Sequence, residues 1–395
     1  LIGIDMPRFP DMNPAVKALP GAVFEKYRNL MAAHGDKLLR LHIGDTYRLP
    51  TYALPLDGPF MQKYPDFNRY CDTFGIAELR GILAQKVIEE NKINADPDQI
   101  LISCGATNAL SAAVHAVLAP SESIMLLTPC WPIFRGIALL AGAKISEVPF
   151  FIKLYERPDL DIQAYLESNL TTETIAVYLN APNNPSGKVL NREQVAQIAE
   201  FARRHNLWLI SDEAYEGLIY DGAQLYSPGS LPRVAEQVIT VFTFSKLYMF
   251  AGMRLGYAVA GKNVIRTMNK VIVHEIYGAP TFTQQMMIEA VSTRKEWSQE
   301  VTSAYQALRD MFVNNLRIPF HKPEATYFIF FRVPGSAAGG GYETLVRRCF
   351  DQGVSVAPGE DFGRDFSDYI RLCFTGETPG RLMEAIQRLN VIFNE

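Results

Sequence analysis

Lys246 is the residue in this chain best placed by its neighbours to act as a nucleophile. It sits in TFSKLYMFAGMRLGY (243–257), after a predicted strand and among small and hydroxylic residues. A lysine at a strand end in apolar surroundings keeps part of its amine neutral, and a neutral amine is what a Schiff base with an aldehyde requires. On its own it would be read as a surface lysine. Three further strings add weight, because each falls at a strand end, where α/β proteins bind ligands. NAPNNPSG (180–187) closes a strand with turn-forming residues and leaves amide side chains at the sheet edge. DEAY (212–215) ends the next strand and brings a carboxylate into apolar sequence. SCGATNAL (103–110) reads as strand, glycine turn and helix start, presenting backbone N–H groups and the Thr107 hydroxyl to an anion. Singly, these are a turn, a helix cap and an ordinary corner. Their joint order in one chain is far more specific.

The elements that must carry these residues alternate along the chain. β-rich runs at 100–104, 123–129, 144–150, 174–180, 207–211, 238–244 and 256–261 are separated by helical patterns such as 108–118, 133–141 and 192–205. In the last of these, Val195, Ile198, Ala199 and Ala202 fall on one face. That alternation predicts an α/β fold with a seven-stranded, mainly parallel sheet between helices. From about Ala290 the texture changes to a long polar helical stretch reaching Leu316, then TYFIFFRV, a helix near 342–351, VSVAPG, YIRLCF and a last helix from Gly380. A smaller α+β domain is expected there, completed by the N-terminal residues. The expected division is 1–48 as N-terminal arm and part of the small domain, 49–288 as the large domain and 289–395 as the small C-terminal domain.

Composition narrows the function classes. With 48% hydrophobic residues in 395, the chain can bury a large core. Its 38 Lys and Arg against 42 Asp and Glu leave no basic excess for a phosphate backbone, so nucleic acid is not an expected partner. The five cysteines are scattered without a CxxC pair, and the six histidines lack any metal-ligand spacing. These features lead us to expect reduced thiols, no metal and a cytoplasmic protein. LIGIDMPRFPDMNP at the start lacks the character of a signal peptide, and no later run has the length and apolarity of a membrane span.

Taken together, the strings resemble the pyridoxal phosphate enzymes of the aspartate aminotransferase superfamily, fold type I, in the class I/II group. The resemblance runs from LHIGD, near residue 44, to YIRLCF, near 371. It implies that Lys246 forms the internal aldimine with pyridoxal 5'-phosphate and that Asp212 pairs with the protonated pyridine nitrogen. It further implies that Tyr215 and Asn184 bond the cofactor's phenolic oxygen and that Trp131, in TPCWPIF, stacks on the ring. Phosphate contacts are implied for Gly105, Ala106, Thr107, Thr243, Ser245 and Arg254. Tyr70, in YCDTFGIAELR, would reach the phosphate of a neighbouring subunit, which makes a homodimer the expected assembly. Arg371 would clamp the substrate α-carboxylate, with Gly44 offering a backbone contact and Asn184 also near the substrate.

Residue chemistry agrees with these roles. A buried carboxylate keeps a pyridine nitrogen protonated, which lets the ring accept electrons. A guanidinium grips a carboxylate with two prongs, as a lysine does not. Two strings depart from the family: GDTYRLP has Thr46 where proline is common, and PEATYF puts Ala325 and Thr326 where glycine is frequent. Both are expected on the substrate side, so three functions remain open. The first is an aminotransferase passing the amino group of an L-amino acid to a 2-oxo acid. The second uses the same chemistry for elimination or cyclisation, for example on a hydroxylated arginine. The third, and weakest, is a ligand-sensing module. His42, His274 and Arg48 lie near pocket strings, with structural roles expected for each; Arg48 is by position alone a candidate for a second substrate carboxylate.

Overall fold

The computed structural model describes residues 13–17, 19, 25–52, 58–334 and 341–394. Much of the N-terminal string weighed for a signal peptide, and part of the proposed arm, lie outside the described residues.

Strand β1 (Leu39–Arg40) comes first, followed by β2 (Ile100–Ser103), β3 (Ser123–Thr128), β4 (Lys144–Pro149), β5 (Thr174–Asn180), β6 (Trp208–Asp212), β7 (Val238–Thr243) and β8 (Gly256–Val259). The seven expected runs form β2–β8 and make one sheet in the order β2-β8-β7-β6-β5-β3-β4. Only β8 is antiparallel to its neighbours. Apart from the edge strand β4, the strands of this sheet are almost wholly buried, as expected of a sheet covered on both faces. The fifth run shifts by one residue, so that Asp212 is the last residue of β6, held in register with Asn180 of β5 and Val241 of β7.

The covering helices follow the apolar pattern. Gly105–Val117 buries Ala109, Leu110, Ala112, Ala113 and Val114. Arg192–Arg204 starts with a capping box, in which Asn191 Oδ1 accepts from Gln194 N at 2.9 Å and Gln194 Oε1 accepts from Asn191 N at 3.0 Å. That reciprocal pair satisfies two N–H groups that a helix start leaves open.

The remainder builds a smaller sheet. Strands β9 (Phe328–Arg332), β10 (Val354–Ser355), β11 (Ala357–Pro358) and β12 (Tyr369–Cys373) follow the long helix Arg294–Asn315. The order β11-β12-β9 is antiparallel, with Arg371 central between Phe330 and Ala357. β1 pairs in parallel with β10, Leu39 opposite Val354, which ties the N-terminal part to the C-terminal part. The expected division at 288/289 falls inside the helix Thr281–Ser292, and the nearest break between helices is at Thr293. Among the described residues no helix is long and apolar enough to cross a membrane, and no three His, Cys, Asp or Glu side chains gather for a metal ion.

Candidate active site

Parallel register brings the chemical strings to one edge of the sheet. Asn180 ends β5, Asp212 ends β6 and Thr243 ends β7. Ser103, ending β2, and Thr243 both face Gly256 of β8. The loops leaving these ends enclose a cavity of about 360 Å³. Of the residues singled out from the sequence, Gly44, Ala106, Thr107, Trp131, Asn184, Asp212, Tyr215, Thr243, Ser245, Lys246, Arg254 and Arg371 line it. Gly105 lies directly behind Arg254: its φ is +77°, and a Cβ there would come within 2.7 Å of Arg254 Nη2. Glycine is therefore required both by the backbone and by the close approach of the guanidinium. Tyr70 is not in this cavity; it is 86% exposed and packs on Tyr277.

The Lys246 amine is buried and donates to the Gly44 carbonyl at 2.7 Å. Burial lowers its pKa to about 8, so a neutral fraction exists near neutral pH. Tyr327 donates to the Lys246 carbonyl at 2.8 Å, fixing the backbone that carries the amine. Asp212 is fully enclosed, and burial raises its pKa to about 6 against the opposing pull of the Tyr178 hydroxyl and the Ala214 N–H. These two donors lie 2.7 Å from Oδ2 and 3.2 Å from Oδ1. Thr243 Oγ1 donates to Ser245 Oγ at 3.0 Å and accepts from Ser245 N at 3.1 Å, which sets both hydroxyls on the same rim as the helix start at Gly105.

Arg371 is held from two sides, donating from Nη1 to Asn184 Oδ1 at 3.0 Å and from Nη2 to the His42 carbonyl at 2.6 Å. Its guanidinium carbon stands 4.2 Å from the Phe328 ring centre and 4.8 Å from that of Phe362. Nε is buried without a hydrogen-bond partner. Burial presses this pKa down, but a guanidinium stays charged at neutral pH. Asn184 is itself fixed through its N–H, which donates to Asn180 Oδ1 at 3.0 Å.

This donor set suits a group that carries an aldehyde, a ring cation and a phosphate. A partly neutral amine faces the first, a buried carboxylate the second, and two hydroxyls, an arginine and a helix N-terminus the third.

Several expectations need correction. Thr46, Ala325 and Thr326 are not among the lining residues. Thr46 Oγ1 accepts from Tyr305 OH at 2.6 Å, and Ala325 and Thr326 are fully buried beside Gly187 and Leu218. The residue of PEATYF that does reach the cavity is Phe328, the first residue of β9. Arg48 pairs with Glu300 at 3.1 Å and does not line the cavity. The two histidines need no correction: in keeping with the structural roles expected of them, His274 bonds the Lys270 carbonyl within its own helix, and the His42 ring lies against Ser355. The sequence reading missed Ile43, Ile133, Asn180, Phe328 and Phe362 in the lining and Tyr178 behind it. A signal existed for two of these: Tyr178 and Asn180 alternate in TIAVYLN and so share a sheet face.

The chain is similar to known proteins over most of its length. The profile of the family described as Aminotransferase class I and II matches residues 53–389. An aspartate aminotransferase of Pyrococcus abyssi is 31% identical over 83% of this chain and 85% of that protein. Aromatic-amino-acid aminotransferase 2 of Thermococcus litoralis is also 31% identical, over 83% and 85%. The crystal structure of an aromatic aminotransferase from Pyrococcus horikoshii superposes with a TM-score of 0.82 at 29% identity, covering 92% of this chain and 98% of that one. With its family profile, its relatives and its fold in agreement, the chain belongs to the class I and II aminotransferase family of pyridoxal phosphate-dependent enzymes, and it is an aminotransferase.

Proposed function

We propose that this chain binds pyridoxal 5'-phosphate in the cavity and passes the amino group of an L-amino acid with an apolar or aromatic side chain to a 2-oxo acid. The observation that carries this reading is the convergence of Lys246, Asp212 and Arg371, from three distant parts of the sequence, on one cavity of about 360 Å³. When bound, the cofactor supplies an aldehyde carbon and a ring that accepts the electron pair left at the substrate Cα.

The protein's own groups do the rest. Lys246 binds the cofactor, and its amine takes the Cα proton and returns it. Asp212 holds a proton on the ring nitrogen, and Trp131 covers the ring. Tyr215 and Asn184 bond the phenolic oxygen. Because Asn184 Oδ1 is taken by Arg371, its Nδ2 is the donor left for that acceptor. Gly105, Ala106, Thr107, Thr243, Ser245 and Arg254 cradle the phosphate. Arg371 grips the α-carboxylate, with the Gly44 backbone beside it. Tyr70, exposed in one copy of the chain, reaches the phosphate of a second, so the working unit is a homodimer. A cytoplasmic location belongs to the same proposal and rests on the five free cysteines.

The preference for apolar side chains follows from the wall. Among the described residues the cations lining the cavity are Lys246, Arg254 and Arg371, and each has a role. Phe328 and Phe362 lie against the Arg371 guanidinium, and Ile43 and Ile133 add apolar surface to the cavity lining. A second carboxylate would be desolvated there without a partner. Elimination or cyclisation loses its motive, since none of Thr46, Ala325 and Thr326, the departures that suggested it, lines the cavity, and the named relatives are aminotransferases.

A half-reaction tests the proposal. Cofactor-loaded protein is mixed with a panel of amino acids without an oxo acid, and the products are followed by absorbance and mass spectrometry. One oxo acid per site, with pyridoxamine phosphate formed and phenylalanine or leucine faster than aspartate, is the expected result. Repeated turnover without an acceptor would overturn amino transfer, and faster reaction with aspartate would overturn the preference.

A further inference from the structure

Behind the cavity wall stands Tyr178, on β5 two residues before Asn180. Register pairs Asn180 with Asp212 and Tyr178 with Ile210, so the tyrosine ring and the Asp212 carboxylate share one face of the sheet. The side chain is fully buried, and its ring lies flat on Phe134, with centroids 3.5 Å and planes 3° apart. Its hydroxyl donates to Asp212 Oδ2 at 2.7 Å. The stack needs only the ring, and phenylalanine would pack equally well; the hydroxyl is the part that the core does not need.

The carboxylate has few other supports. Ala214 N–H reaches Oδ1 at 3.2 Å, and the Lys246 amine is engaged with Gly44. The other titratable groups that face Asp212 are Lys246, Cys130 and Tyr215. Burial pushes the Cys130 thiol and the Tyr215 phenol up, so both stay neutral.

We propose that Tyr178 is a positioning residue for the reaction: its hydroxyl keeps the Asp212 carboxylate ionised and turned toward the cavity, ready for the protonated ring nitrogen of the cofactor. This rests on the role given to Asp212 above. Hydrogen bonding to the charged form of a buried acid favours that form. Without the hydroxyl, one backbone N–H remains, and the acid becomes neutral more readily and can turn about its last torsion.

The test uses Tyr178→Phe, Asp212→Asn and the double variant, stripped of cofactor and titrated with pyridoxal phosphate, then reloaded for kinetics. A hydrogen bond to a charged group predicts about tenfold weaker cofactor binding in Tyr178→Phe. kcat should fall comparably, with the amino donor KM unchanged, since Tyr178 does not line the cavity. In the Asp212→Asn background the Tyr178→Phe change should cost almost nothing, because both act through one contact. Full parent affinity and rate in Tyr178→Phe, or an equal loss in both backgrounds, would overturn the proposal. If Asp212→Asn itself kept parent affinity and rate, the Asp212 assignment would be what fails, and this inference would fall with it.

Discussion

The wall of the cavity built by the large sheet and the opposite wall hold their polar groups in different ways. On the sheet side, Asn180, Asp212 and Thr243 sit at the ends of adjacent strands, and each is placed by backbone register with its neighbour. On the opposite side, Ile43, Gly44, Phe328, Phe362 and Arg371 come from a loop, two strands of the small sheet and a short turn. Arg371 is the only ion among these five, and it is steered by a side-chain amide and a backbone carbonyl. The first wall is a fixed array of charge and hydrogen-bond partners, suited to one unvarying cofactor. The second holds a single guanidinium in an apolar surround, where, on the proposed function, a small change in sequence would redirect specificity. Chemistry and selectivity are thus separated by architecture.

The largest effect that would break this division concerns the sheet wall. Lys246→Ala should lower turnover at least about 10⁴-fold while the protein folds and still binds cofactor noncovalently, because it removes both nucleophile and base. Steady-state rates and gel-filtered absorbance spectra check this, and a rate near the parent's would refute the assignment.

The next concerns the charge stored on that wall. Asp212 has a folded pKa raised to about 6, above the unfolded value near ~4. The cofactor-free folded state therefore holds the proton more tightly than the unfolded state. Its contribution to stability is largest at low pH, falls as pH rises through about 4 to 6, and then levels off. Denaturant unfolding of the apo protein, compared with Asp212→Asn at each pH, should show a difference that changes by about 3 kcal/mol across that window. The comparison matters because His42, lowered to about 4 mainly by burial, works in the opposite sense. A difference independent of pH would mean that Asp212 is not desolvated as described.

The smallest effect sharpens the view of the other wall. Arg371→Lys keeps the charge and loses the fork, and should raise the amino donor KM about 30-fold, roughly 2 kcal/mol, with a lesser change in kcat. An unchanged KM would show that the α-carboxylate is held elsewhere.

The same division decided what could be read without coordinates. Strand runs and their alternation with helices are local signals, and all seven runs became strands of one sheet. Residues at the ends of those strands were legible because a parallel α/β sheet brings its strand ends to one edge whatever the loops do. Asp212 and Lys246 are of this kind. By contrast, Thr46, Ala325 and Thr326 were expected near the substrate and instead serve the framework through Tyr305, Gly187 and Leu218. Phe328 and Phe362 look in sequence like ordinary core residues.

By itself, then, the amino-acid sequence determined the α/β architecture and the chemical identity of the sheet-side groups, since both depend on short-range pattern and on residue type. Tertiary structure alone decided which side chains meet. The packing of Phe328 on Arg371, the hold of His42 and Asn184 on its guanidinium, and the reach of Tyr178 to Asp212 join residues 34 to 329 positions apart. Contacts at such separations are set by how whole elements pack, and no local pattern of apolar and polar residues encodes them.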